Sequence, residues 1–361
     1  MPAVHQLLAG LSPGDAISNE ARALQADFRA AGFTSDLFCD PAALAPALAA
    51  SARSAAELPT ALGPHDVTVL HLAIGSPVND LFPHLPGRHW VRYHNITPPE
   101  HFRAVNPDTA IRLALGRQQA SRLAAHTDLA LAASAFNAVD LQNWGYRTVR
   151  VLPLRLDLRA LRDGPADSSL AAGYRDGLLN ILFVGRAAPN KGLEEALRIF
   201  AHLQRHIEPA ARFIHIGSYS GVGPYVGLLH ALKLDLGLEH VDFLGPLPDA
   251  GVRAGYRVAA AFLCASRHEG FGIPLLEAMA FDVPVLAREA GAVAETLDGA
   301  GVLFRGEDPR PVAELLHRLA RPGPLREAVL TGQRERLNRW EARDLAAEWV
   351  SLLTHPAIPK A

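Results

Sequence analysis

An α/β fold made of two doubly wound parallel sheets is what this sequence predicts. Three observations carry the expectation. Short apolar runs alternate with longer amphipathic runs along the whole chain, and this series occurs twice over. The 361 residues also exceed the roughly 250–300 that a single hydrophobic core usually holds. Strand and helix alternating at this spacing form parallel sheets with helices on both faces.

In the first half, apolar runs place strands at residues 4–8, 35–39, 67–72, 90–94, 129–133 and 148–152, with helices over 18–31 and 109–125 between them. In the second half, strands are expected at 180–184, 212–216, 241–244, 259–264, 284–287 and 301–304. Helices there cover 193–206, 275–280 and 312–319. The segment 159–173 is polar, holds Gly164, Pro165 and two serines, and separates the two series. Domains are therefore expected over 1–165 and 166–339. The last segment alternates large apolar and charged residues at helical spacing over 340–353, and a C-terminal helix is expected within 340–361. It is a candidate to pack back on the first domain.

Bulk properties narrow the function classes. A hydrophobic content of 49% and a charged content of 20% are globular values. A net charge of -2 offers no global attraction to nucleic acid or to an anionic membrane. The two cysteines, Cys39 and Cys264, lie in separate apolar segments without metal-ligand spacing. They read as reduced, buried thiols of a cytoplasmic protein. No basic-then-apolar leader opens the chain, so no signal peptide is expected. No run of about 18 apolar residues predicts a membrane span. Arg112, Arg117 and Arg122 lie together on one predicted helix. They read as a solvated face, with a peripheral contact to an anionic lipid surface as the alternative.

In sheets of this kind ligands bind beyond the carboxyl ends of the strands. With two sheets, the expected site is the cleft between them. Four post-strand loops carry polar chemistry. After the first strand comes Ser12-Pro13-Gly14-Asp15-Ala16. It reads either as a turn with an Asp15 N-cap or as a loop whose Gly14 lets backbone approach a ligand. After the fourth comes His94, followed by Asn95-Ile96-Thr97-Pro98-Pro99. One His among 16 is more often satisfied by nearby backbone, but two prolines fix this loop at a strand end, where imidazole suits a hydroxyl.

After the first strand of the second half, Gly185-Arg186-Ala187-Ala188-Pro189-Asn190-Lys191-Gly192 sets two cations five positions apart just before a helix. Arginine grips phosphate bidentately and lysine adds a point charge. Each charge-assisted bond contributes about 1.5–3 kcal/mol. The bland alternative is a pair of solvated cations. The fourth loop is the most informative: Ser266-Arg267-His268-Glu269-Gly270-Phe271-Gly272-Ile273-Pro274-Leu275-Leu276-Glu277. Its glycines open the backbone to a ligand, Pro274 suits a first helical turn, and the helix start favours an anion. Glu269 and Glu277 are acceptors for hydroxyls. A ligand with phosphates and many hydroxyls fits, and a nucleotide sugar is the obvious one. Gly217 and Leu244 sit in two weaker post-strand loops, as ligand borders or as simple turns.

Together these residues resemble glycosyltransferase family four, retaining nucleotide-sugar transferases of GT-B fold. The resemblance spans nearly the whole chain. His268-Glu269-Gly270-Phe271-Gly272-Ile273-Pro274-Leu275-Leu276-Glu277-Ala278 is similar to the family's double-glutamate motif. Phe183-Val184-Gly185-Arg186 with Lys191-Gly192 resembles its phosphate loop, and the Gly14 and His94 loops sit where the family has a glycine loop and an active-site histidine. Asp282 stands where the family usually has glycine, at a turn tolerant of left-handed backbone.

The resemblance implies a GT-B fold with two Rossmann-like domains facing each other across a cleft. It implies Glu269 at the transferred sugar, Glu277 at the ribose, Arg186 and Lys191 on the diphosphate, backbone of Gly270, Phe271, Gly272 and Ile273 at sugar and phosphate, and His94 at the sugar or acceptor. Gly14, Asp15, Gly217 and Leu244 would border the donor. The expected reaction is retaining transfer of a hexose, mannose or glucose, from GDP-mannose or UDP-glucose to a saccharide or lipid-linked saccharide in bacterial surface-polysaccharide or glycoconjugate synthesis. No metal or other cofactor is expected, since no Asp-x-Asp pair suits Mg²⁺. A phosphorylase, a nucleotide-sugar epimerase, a nicotinamide-dependent oxidoreductase and a non-catalytic nucleotide-sugar-binding partner stand as alternatives. The absence of a Gly-x-Gly-x-x-Gly fingerprint weighs against the oxidoreductase.

Overall fold

Two all-parallel sheets organise the chain, in a computed structural model that describes residues 2–354. The first holds β1 (Val4–Leu8), β2 (Leu37–Cys39), β3 (Arg53–Ser54), β4 (Val67–Leu72), β5 (Arg88–Tyr93), β6 (Leu129–Ala132) and β7 (Val149–Val151). They lie in the order β3-β2-β1-β4-β5-β6-β7. The second holds β8 (Leu179–Val184), β9 (Ala211–Ile216), β10 (Val241–Phe243), β11 (Ala261–Cys264), β12 (Val285–Arg288) and β13 (Val302–Phe304), in the order β10-β9-β8-β11-β12-β13. Every residue of β1, β4, β6, β9 and β11 is buried. That is why these strands read as mostly apolar runs rather than as strictly alternating ones. Strand order reverses between β1 and β4 and again between β8 and β11. Such reversals are where doubly wound sheets bind ligands. The two-residue β3 has no counterpart in the sequence reading, since two residues display no period.

The chain forms two units. One comprises Met1–Pro99, Asp108–Leu156 and Arg343–Ala361; the other comprises Glu100–Pro107 and Asp157–Ala342. The division falls at Leu156/Asp157 because the polar segment 159–173 is not a free linker. It forms the helices Leu158–Asp163 and Ser168–Gly173. Arg253 captures the carbonyls of Leu161 and Pro165, and Arg257 those of Arg162 and Gly164. The expected C-terminal segment also splits. The helix Pro324–Glu341 stays in the second unit, and Leu345–Thr354 belongs to the first. Residues 355–361 of that segment lie outside the described residues.

Within the first unit, the helix Ala16–Ala30 starts earlier than its apolar pattern suggests, because Asp15 caps it. The Asp15 Oδ2 accepts the Ser18 backbone N–H at 2.8 Å and the Ser18 hydroxyl at 2.7 Å. The helix buries Glu20, Ala21, Leu24 and Phe28 at helical spacing. Phe28 meets Trp349 edge-on at 5.7 Å. Arg117 departs from the expected solvated face. It turns inward to the Ile96 carbonyl at 3.2 Å and over the Trp144 ring at 5.2 Å, so it does not share one outward surface with Arg112 and Arg122. Both cysteines are buried free thiols.

Arg92 is the electrostatic centre of this unit. It is fully buried on β5, where its Nε and Nη2 donate to the two oxygens of buried Glu20 at 3.2 and 2.6 Å. Its remaining donors reach the carbonyls of Leu152 and Pro153. One guanidinium thereby joins β5, the first helix and the chain after β7. Removing one partner of a buried pair leaves an uncompensated charge, whereas removing both does not. Glu20→Gln is therefore expected to lower urea-unfolding stability by about 3–5 kcal/mol, and Glu20→Gln with Arg92→Met by clearly less. A double variant as unstable as the single one would contradict this account.

Candidate functional site

The second unit gathers its chemistry at the carboxyl ends of β8 and β11, where the strand order reverses. After β8 the chain runs through Gly185 and Arg186 into the single turn Pro189–Lys191 and then the helix Leu193–His206. After β11 it runs through the Glu269 loop into the helix Ile273–Ala280, with Pro274 in its first turn. Several hydrogen bonds tie these loops together. The Arg267 backbone N–H donates to the Asn190 carbonyl at 2.8 Å, and Asn190 Nδ2 donates to the His268 carbonyl at 3.3 Å. Lys191 Nζ meets Glu269 Oε1 at 2.7 Å.

The pairing changes the charge balance expected of this loop. The Lys191 charge is shared with a carboxylate that is itself only 10% exposed, so Lys191 is not an isolated cation. Arg186 is exposed. Its Nη2 donates to the Ser220 carbonyl at 2.8 Å, and its guanidinium lies 5.9 Å from the centre of the Phe102 ring. Phe102 belongs to the short segment Glu100–Pro107 of this same unit.

Backbone geometry explains the glycines. Gly272 has φ +93°, and a Cβ there would meet Leu275 Cδ1 at 2.8 Å; glycine is what lets the chain turn left-handed into the helix. The Phe271 side chain is buried at 5.6 Å from Trp340, and its carbonyl accepts the Thr296 hydroxyl at 2.5 Å. The loop therefore presents backbone, while its one aromatic ring serves the core. Ile273 is partly exposed at the helix start, and Gly270 lies between Glu269 and Phe271 in the same loop. Asp282 adopts φ +55° in the turn after this helix.

Glu277 lies one turn into the helix. Its Oε2 accepts the Tyr256 hydroxyl at 2.8 Å, and Tyr256 stacks on Phe281 with planes 8° apart. Burial raises the Glu277 pKa above the ordinary carboxyl value. Gly217 is held for packing: a Cβ would fall 1.9 Å from the Gly185 carbonyl oxygen. Leu244 follows β10, with its N–H on the His215 carbonyl at 2.9 Å, and is partly exposed. These two stay at the same edge of the sheet as Arg186.

The first unit holds the remaining sequence-named residues. Gly14 has φ +71° with open space around it, and Asp15 is the N-cap described above. His94 follows β5. Its Nε2 lies 2.8 Å from His71 Nδ1, and its Nδ1 lies 3.6 Å from Glu20 Oε2. Burial, then Arg92, hold the His94 pKa well below the usual imidazole value. Glu20, His71 and His94 are close enough together to consider a metal. Glu20 already takes the Arg92 guanidinium on both oxygens, and the two imidazoles bond to each other. This chemistry fits a hydrogen-bonded row better than a cation site.

Residues missing from the sequence reading include Gln6, Glu20, His71 and Arg92 here, and Asn190 and Tyr256 in the second unit. Gln6, His71 and Arg92 did leave a signal: each is a polar residue inside a segment that reads as a strand. Asn190, with 6% exposure, had none beyond its place between two named cations.

Residues 173–336 match the family described as "Glycosyl transferases group 1". A D-inositol 3-phosphate glycosyltransferase of Frankia alni is 35% identical over 204 residues, 54% of this chain and 50% of that protein. A GDP-mannose-dependent alpha-(1-6)-phosphatidylinositol monomannoside mannosyltransferase of Mycolicibacterium smegmatis is 32% identical over 186 residues, 48% of this chain and 47% of its own. The chain spans about half the length of the curated relatives it matches. Sucrose-phosphate synthase from Thermosynechococcus elongatus superposes with a TM-score of 0.75 at 18% identity, covering 98% of this chain and 99% of that one. Anabaena HepE in complex with UDP and glucose gives 0.73 at 18% identity, covering 98% and 100%. These superpositions show the fold.

The Tyr256–Glu277 bond has a pH signature. Because its folded pKa is raised, Glu277 costs stability as pH rises from the unfolded carboxyl value, about 4.3, through the folded one. The Tyr256 hydroxyl offsets part of that cost. Tyr256→Phe is expected to lose about 1–3 kcal/mol of unfolding free energy at pH 7 and clearly less at pH 4, where the carboxyl is protonated. Equal losses at both pH values, measured by urea titration, would contradict this assignment.

Proposed function

We propose that this chain, of GT-B fold, is a group 1 glycosyltransferase that moves a hexosyl group from a nucleoside-diphosphate sugar to an acceptor hydroxyl with retention at the anomeric carbon. The observation that carries the proposal is the tied pair of loops after β8 and β11. An exposed arginine, a lysine paired with Glu269 at 2.7 Å and a glycine-opened helix start converge at one sheet edge. Together they suit a diphosphate beside a polyhydroxylated sugar.

The roles follow from chemistry. Arg186 and Lys191 hold the diphosphate, and their hydrogen bonds strengthen as the leaving group gains charge. The N–H groups at the start of the helix Ile273–Ala280 add the positive end of its dipole. Glu269, with one oxygen on Lys191, turns the other toward hydroxyls of the sugar. Glu277, held by Tyr256, takes ribose hydroxyls. The glycosidic bond to the diphosphate breaks through an oxocarbenium-like state. The acceptor oxygen bonds to the anomeric carbon on the face the diphosphate leaves, and its proton passes to a departing phosphate oxygen. Positive side chains and the helix start neutralise the diphosphate in this scheme, so it calls on no metal. His94 contacts a hydroxyl of the sugar or the acceptor.

GDP-mannose and UDP-glucose are the leading donors. The Mycolicibacterium relative's name supports the first and the Anabaena complex the second. Both curated relatives are named for inositol-based acceptors, which favours a polyol or a lipid-linked glycoside as acceptor. No helix among the described residues is long and apolar enough to cross a membrane.

One transfer assay tests this reading. The wild-type product should keep the donor's anomeric configuration by NMR, and Arg186→Ala with Lys191→Ala should lower turnover roughly 10²-fold or more. An inverted product sinks the same-face step; unchanged turnover and donor affinity sink the diphosphate assignment.

A further inference from the structure

A row of buried polar side chains crosses three neighbouring strands of the first sheet and fixes where the protons lie. Gln6 on β1 donates from Nε2 to the Ala21 carbonyl at 2.9 Å. Its Oε1 is therefore the atom that faces His71 Nε2 at 2.8 Å. An amide oxygen only accepts, so His71 carries its proton on Nε2. His71 on β4 is buried, and burial with His94 alongside pushes its pKa well below the usual imidazole value. A neutral ring has one N–H, so His71 Nδ1 is a bare acceptor. The atom 2.8 Å from it is His94 Nε2, which must be the donor. A neutral His94 is then left with a bare Nδ1, 3.6 Å from Glu20 Oε2.

We propose that Gln6 and His71 are positioning residues that hold His94 in its Nε2–H tautomer, so that His94 meets a substrate hydroxyl through Nδ1, as an acceptor. The hydroxyl half of this statement rests on the proposed contact between His94 and substrate; the tautomer does not. The Glu20 carboxylate 3.6 Å from Nδ1 by itself favours a proton there; the shorter 2.8 Å bond from His94 Nε2 to His71 outweighs it. The charged and titratable groups around the ring are Glu20 from the first helix, His71 from β4 and Arg92 from its own strand. Glu20 is committed on both oxygens to Arg92 and, through Oε1, to the Arg155 backbone N–H at 2.9 Å. It supplies no proton to His94. With the Nε2 proton spent on His71, the ring has no donor left for a ligand. It therefore selects a hydroxyl that donates, and orients that hydroxyl's own lone pairs away from the ring.

The test is the ligand-free full chain labelled with ¹⁵N-histidine, read by long-range ¹H–¹⁵N correlation and assigned with His71→Asn and His94→Asn. Both rings are expected to show a protonated Nε2 and a bare Nδ1. A His94 ring protonated on Nδ1 overturns the proposal. Gln6→Glu supplies a second reading. A carboxylate beside His71 Nε2 favours a doubly protonated His71, whose Nδ1 then donates to His94 Nε2. The His94 proton should move to Nδ1, and sugar transfer should fall about tenfold or more, as expected when a histidine is held in the wrong tautomer. A folded Gln6→Glu protein whose His94 keeps its Nε2 proton overturns the relay, and one that flips the tautomer at full transfer rate overturns the role in substrate contact. The spectra use no donor or acceptor. The expected tautomers with no sugar transfer by the wild type therefore uphold the relay and count against the proposed function alone.

Discussion

The grip of one turn on another organises the second unit. Asn190 and Lys191, after β8, hold the backbone of Arg267 and His268 and the side chain of Glu269, after β11. These are the two strands between which sheet order reverses. The reversal sends the following helices to opposite sides and would leave the two loops apart. These hydrogen bonds close that separation and set lysine, carboxylate and helix start at fixed spacing. An unpaired Glu269 at 10% side-chain exposure would pay heavily in lost hydration; Lys191 removes most of that cost. The same pairing means that binding an anion here is not simple attraction to a free cation. The proposed diphosphate would compete with Glu269 for one ammonium group, while Arg186 stands exposed beside them.

The first unit handles buried polarity differently. Its sheet carries Gln6, His71 and Arg92 inside its strands, each satisfied by a neighbour. Buried polar groups are costly unless every member is bonded, and fully bonded ones specify a single arrangement. The row ends at His94 and Asn95, the latter in a left-handed conformation at φ +83°. Non-glycine residues rarely adopt that backbone, and it tends to persist where surrounding structure over-determines it.

The fold was legible because parallel strands buried on both faces read as mostly apolar runs, and several are followed by a helix of clear period. The loops were legible because their chemistry is local. Glycine, proline and charge stand next to one another at residues 185–192 and 266–277. What joins these loops is not local. Lys191 and Glu269 are 78 residues apart, and Gln6 and His71 are 65 apart. A sequence displays such residues without saying that they meet. The segment 159–173 was hidden for a related reason. Its polar composition suggests a linker, but two arginines nearly a hundred positions away hold its carbonyls. At Asp15 the cap was legible because it is local: the sequence offered a helix cap beside a ligand border, and the carboxylate caps the helix.

The central claim is that the loops after β8 and β11 form a site for a nucleoside-diphosphate sugar. Thermal unfolding against a panel of such sugars, with UDP and GDP alone included, tests it most directly. A ligand that binds only the folded chain at 100 times its Kd adds about 2.7 kcal/mol, which for units of this size raises Tm by several degrees. The account predicts a saturable rise with one base class, lost in Arg186→Ala with Lys191→Ala. A panel in which no nucleotide or nucleotide sugar raises Tm at millimolar concentration would contradict it.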